Sequence, residues 1–153
     1  MKIKNNITEF EIRVRVKSNR PDFRIFASYF FGDDFYNYDS EGDCLLVTSE
    51  KWTELYVRSR ENSDLWFEIY KEDEEQSLIL KVSSKNIETT YIIAYFLARE
   101  TNGEVLDNDN EIILMSTLEK LMGDFDLENR LLIADNSIWR EATTNNPYPN
   151  LNK

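Results

Sequence analysis

The groups best placed to do chemistry in this chain are carboxylates set side by side. Asp33 and Asp34 are adjacent, and Glu72, Asp73, Glu74 and Glu75 form an unbroken run. Paired carboxylates can divide acid and base roles or hold a magnesium ion. With 29 Asp and Glu in 153 residues, however, such pairs arise by chance. Nothing in the sequence builds an apolar pocket that would shift a carboxyl pKa. Asp107, Asp109 and Glu111 alternate in the manner of a calcium loop. An EF-hand loop needs a glycine and a final acid at set positions, and Ile112 and Leu118 stand there instead. A hairpin turn is the expected use of these residues. The chain has no histidine. That removes the commonest general base and zinc ligand, and with them any Ser-His-Asp or Cys-His arrangement. Cys44 is the single cysteine, so no internal disulfide forms. Its apolar run, Cys44-Leu45-Leu46-Val47, reads as the setting of a buried, inert thiol. The glycines, at 32, 42, 103 and 123, are scattered and make no phosphate cradle. No catalytic residue, cofactor or metal is expected.

Charge is the more informative property. The net charge is −11. Residues 1–31 carry seven Lys and Arg against three Asp and Glu, whereas residues 32–76 carry fourteen acids against four bases. A field of this sign repels nucleic acid and membrane surfaces and attracts basic partners. Within this acidic middle stretch, residues 32–43 mix Asp33, Asp34, Asp39, Glu41 and Asp43 with Phe35, Tyr36 and Tyr38. Aromatics in a loop either fold back on the core or form a contact surface, where tyrosine gives area at low entropic cost. The candidate partner-binding residues are therefore Asp33, Asp34, Phe35, Tyr36, Tyr38, Asp39, Glu41 and Asp43, together with Glu72, Asp73, Glu74 and Glu75 from an exposed turn.

The elements that must position these residues follow from periodicity. Phe10, Ile12, Val14 and Val16 alternate with Glu9, Glu11, Arg13, Arg15 and Lys17, the pattern of a half-buried strand. The Arg-Lys row is either the wet side of that strand or a basic stripe. Ser18 to Pro21 should break it and open a helix through Phe23, Phe26, Ala27, Phe30 and Phe31, closed by Gly32. The runs CLLVT, WTELYVRS, LWFEIYK and SLILKVS predict a four-stranded meander with residues 9–17 as a fifth strand. Residues 86–103 predict a buried helix capped by Asn86, with Gly103 supplying the positive φ at its end. Val105-Leu106 and Ile112 to Leu114 should pair across Asp107 to Asn110 as an extra hairpin. Ser116 with Glu119 reads as a capping box for a short helix ending at Gly123. Asp124 or Asp126 should cap a last helix through Leu127, Leu131, Ala134 and Ile138. The expectation is one α+β domain over residues 1–142, an antiparallel sheet of about five strands with helices packed on it, and an irregular tail over residues 143–153. The N-terminus shows no apolar signal region, so the default location is the cytoplasm.

In its profile the chain resembles the bacterial immunity proteins of contact-dependent growth inhibition and other polymorphic toxin systems. The features carrying the likeness are the helix Ile87 to Arg99, its ending Thr101-Asn102-Gly103, the Val105-Leu106-Asp107 hairpin and the acidic residues 32–43. The resemblance implies a small, acidic, non-catalytic cytoplasmic protein that binds one cognate toxin domain; the charge points to a basic nuclease as that domain, with its positive active site occluded. These families share no single fold, and no binding residue transfers by motif. The other readings are an acidic adaptor domain and, third, a carboxylate enzyme using a divalent metal.

Overall fold

The computed structural model describes residues 9–32, 37–43, 46–73 and 76–151. In chain order the elements are β1 (Phe10–Arg15), α1 (Phe23–Phe31), β2 (Tyr38–Gly42), β3 (Leu55–Ser59), β4 (Trp66–Asp73), β5 (Gln76–Ser84), α2 (Ile87–Thr101), β6 (Glu104–Leu106), β7 (Ile112–Ile113), α3 (Met115–Glu119) and α4 (Leu127–Asp135). The strands form a single sheet in the order β2-β3-β4-β5-β1-β6-β7, and every pairing is antiparallel. The class is α+β, as periodicity predicts.

Side-chain alternation divides the sheet into two unlike faces. Val14, Val57, Phe67, Ile69, Leu80, Val82 and Val105 point to one face and are essentially unexposed. Helices α1 and α2 pack there. Phe26 meets Phe96 edge-on with ring centroids 4.9 Å apart, and Trp52 edge-on at 5.6 Å. Tyr29 stacks on Phe96 at 4.1 Å and donates its hydroxyl to the Ile92 carbonyl at 2.8 Å. Aromatic pairs in these geometries add to the area they bury. No helix is long and apolar enough to cross a membrane among the described residues.

The long central helix forms as predicted at its start and differently at its end. The Asn86 side chain accepts from the Glu88 and Thr89 N–H groups, satisfying two orphan donors of the first turn. The left-handed residue at the other end is Asn102, with φ 54°, not Gly103. Glycine at 103 answers a different need. A Cβ there would lie 2.2 Å from the Arg15 carbonyl oxygen, so the β1–β6 pairing requires its absence.

Four further expectations are corrected. The sheet has seven strands, not about five, because the 104–113 hairpin joins it: Val14 pairs with Val105 and Arg13 with Leu106. Of the run CLLVT, the described residues make no strand. Leu46 to Thr48 form a turn in which Ser49 N–H bonds the Leu46 carbonyl, while Cys44 and Leu45 lie outside the described residues. The place beside β3 is taken by residues 38–42, which the sequence reads as loop. Ser116 is no cap, since α3 begins at Met115 with no side-chain cap bond. The last helix stops at Asp135, and Ser137 caps a separate 3-10 turn, Ile138–Glu141. Asp126 does cap α4, accepting from Asn129 N–H. Beyond residue 142 the chain makes a short bridge between Thr143 and Asn146 and a turn at Pro149–Leu151.

Candidate functional site

The second face of the sheet has no helix across it among the described residues. Its side chains follow from the wet positions of each strand, and the register sets them in rows. One row runs Glu41, Tyr56, Glu68, Ser83, Glu11 across β2, β3, β4, β5 and β1. A neighbouring row runs Asp39, Arg58, Trp66. On the other side lie Tyr70, Lys81 and Arg13. Wet sheet faces ordinarily carry small or charged residues; this one holds three large aromatics among the acids.

Around Tyr56 the surface opens into a groove of about 400 Å³ walled by Tyr56 and Tyr70 and edged by Glu41, Glu54 and Glu68. A second groove of about 510 Å³ shares Glu41, Tyr56 and Glu68 with the first and extends past Trp66 to Glu9. The Tyr56 and Trp66 rings are tilted against each other, their centroids 5.9 Å apart. Tyr70 is fixed by donating its hydroxyl to Glu11 Oε2 at 2.6 Å, and Lys81 approaches Glu11 at 3.6 Å. Burial raises the pKa of both phenols; the Glu11 hydrogen bond adds to it at Tyr70, and Glu68, Glu41 and Asp39 add to it against Arg58 at Tyr56. Both rings therefore stay neutral across the physiological range and serve as apolar walls.

The carboxylates of this face divide into paired and unpaired. Asp39 binds Arg60 at 2.7 Å and lies 3.6 Å from Arg58, and the Arg60 hydrogen bond holds its pKa below the usual value. Glu104 binds Arg15 at 2.8 Å and Lys17 at 3.5 Å. Glu72 stands 3.7 Å from Arg13, whose guanidinium also donates to the Asp107 carbonyl. The Arg13-Arg15-Lys17 row is thus the internally compensated wet side of β1. By contrast, no hydrogen bond or ion pair reaches the carboxylates of Glu41, Glu54 and Glu68 among the described residues. All three edge the same groove. Nearby, Ser83 is fully buried, and its hydroxyl has no hydrogen-bond partner among the described residues.

The residues singled out in the sequence are dispersed. Asp33, Asp34, Phe35, Tyr36, Glu74 and Glu75 lie outside the described residues. Tyr38 stacks on Phe31 at 5.8 Å, covering the core side. Asp39 is held in its ion pairs. Glu41 reaches the groove. Asp43 is structural: its carboxylate accepts from Thr53 N–H, Thr53 Oγ1 and Glu54 N–H at 2.8–3.2 Å. Glu72 is exposed near the Asn108–Asn110 turn, and Asp73 closes β4 opposite Gln76. Asp107 spends its carboxylate on the Asp109 and Glu111 N–H groups. Among the described residues no three metal-capable side chains are gathered at ligand spacing.

No family model matches this chain, nor does any curated protein or solved structure. The site must be read from its own geometry. Sequence reasoning missed Glu54, Tyr56, Trp66, Glu68 and Tyr70. The available signal was aromatic residues at the wet positions of two adjacent strands, Tyr56 in β3 with Trp66 and Tyr70 in β4.

Proposed function

We propose that this protein binds a basic protein domain through the open face of its sheet and neutralises it, in the manner of an immunity protein acting on a cognate toxin in the cytoplasm. The observation that carries the reading is the acidic, aromatic sheet face, with no helix packed across it among the described residues. A domain that degrades nucleic acid must hold a polyanion, so its working cleft is cationic. A face rich in unpaired carboxylates is drawn to such a cleft and excludes its substrate by lying over it. The aromatics supply contact area of the kind that dominates binding energy. The protein needs no catalytic group of its own for this role.

The decisive experiment is capture of the partner. Tagged protein retained on beads and exposed to lysate of its own source cells should hold a basic domain, identified by mass spectrometry. Co-expression of that domain with this protein should restore growth that the domain alone abolishes. Retention of a nucleic acid or another polyanion as the specific ligand, or turnover of a small molecule by the purified protein, would overturn the proposal. An adaptor would capture a partner that does no harm when expressed alone.

A further inference from the structure

Resting on the reading just given, we infer that the groove between Tyr56 and Tyr70 is a receptor for a single arginine side chain presented by the partner's basic segment. Two observations converge on that occupant. First, among the described residues the carboxylates of Glu41, Glu54 and Glu68 have no hydrogen bond or ion pair, while Asp39, Glu11 and Glu72 on the same face are paired, so this groove concentrates the unanswered negative charge of the face. Second, its walls are aromatic rings, with Trp66 close behind Tyr56. A guanidinium is planar and weakly hydrated; it stacks on such rings and forks to carboxylates, which a compact, strongly hydrated ammonium does less well. The groove is open along the sheet, so a side chain enters it while its backbone remains outside. A bare metal ion is poorly suited to a site with two ring walls, whereas a long side chain with an apolar stem and a charged head matches both linings.

The probe is a blocked hexa-arginine peptide, titrated into the full-length protein and followed by the indole N–H signals in NMR and by calorimetry. The Trp66 signal should shift, and those of the buried Trp52 and Trp139 should not. Replacing all three acids by E41Q, E54Q and E68Q should weaken binding by about tenfold or more, the loss of a charge-assisted hydrogen bond. An equal loss of charge at the exposed Glu50, Glu128 and Glu141 should weaken it no more than about twofold, by screening-range electrostatics alone. Tyr56→Leu should cost about threefold by removing a ring wall, and unchanged thermal unfolding of each variant would show the fold intact. Blocked hexa-lysine, of equal charge, and the tetracation spermine should each bind several-fold more weakly. Equal weakening by the two glutamine triples, an unmoved Trp66 signal, or spermine binding as tightly as hexa-arginine would each overturn the arginine slot. The outcomes for slot and function separate cleanly. If the captured domain is neutralised with unchanged affinity by the groove triple, the slot fails and the function stands. If no toxic domain is captured but the peptide behaves as stated, the function fails and the slot stands.

Discussion

Asp43 shows how an acid that reads as surface charge can instead be structural. Burial disfavours its charged form, but the bonds from Glu54 N–H, from Thr53 Oγ1 and from Thr53 N–H outweigh that and lower its pKa. A depressed carboxyl pKa stabilises the fold above the unfolded-state value and ceases to do so as pH falls through the folded-state value. Asp43→Ala should therefore destabilise at neutral pH by about 1–2 kcal/mol, since it strips acceptors from two backbone donors. In urea melts the gap between the variant and the parent should narrow from about pH 4 towards pH 2. A gap that stays constant over that range would show that the carboxylate charge is not what holds the Thr53–Glu54 corner. By composition alone Asp43 and Glu41 are indistinguishable, two acids two residues apart. The difference between them is which backbone donors the fold brings within reach.

At the level of elements, the left-handed turn expected of Gly103 at the end of α2 falls to the residue before it. Asn102 carries the left-handed turn, and Gly103 admits the Arg15 carbonyl. Gly103→Ala should lower stability by about 1–3 kcal/mol, because the contact is with backbone and no side chain can swing away. A drop in Tm from calorimetry, with the helical circular dichroism retained below it, is the expected result; a Tm equal to the parent's would show that β1 and β6 have slack. The strands with strong alternation, β1 and β3 to β5, were legible in the sequence because burying one face imposes period two. Residues 38–42 were not. Their sequence, YDSEG, has no apolar alternation, and they become β2 by supplying the edge that β3 would otherwise leave open. The opposite error came from CLLVT, whose apolar content mimics a strand while Leu46 stands 60% exposed in a turn. Edge strands obey hydrogen-bond supply more than hydrophobicity, so their composition signals them poorly.

For the molecule as a whole, the net charge of −11 predicts a rate effect. Association with the captured basic domain, measured by stopped flow, should slow by about tenfold or more as salt is raised from roughly 0.05 M to 0.5 M, while dissociation changes much less. An association rate indifferent to salt would mean that the acidic face does not guide the encounter. The open sheet face explains why the charge matters beyond solubility: both helices of the core lie on one side, so the other side keeps its carboxylates and rings in contact with water.

Sequence by itself determined the α+β class, the buried helix with its Asn86 cap, the central hairpins and the negative sign of the surface, because these depend on short-range periodicity, local capping and composition. Only the tertiary structure decided which acids are left unpaired, and where. Glu41 in β2, Glu54 just before β3 and Glu68 in β4 meet around Tyr56 and Tyr70 only through cross-strand register, and the same register sets Arg58 beside Asp39 and Arg15 beside Glu104. Register is fixed by which faces are buried against α1 and α2, a long-range condition that no window of the chain contains.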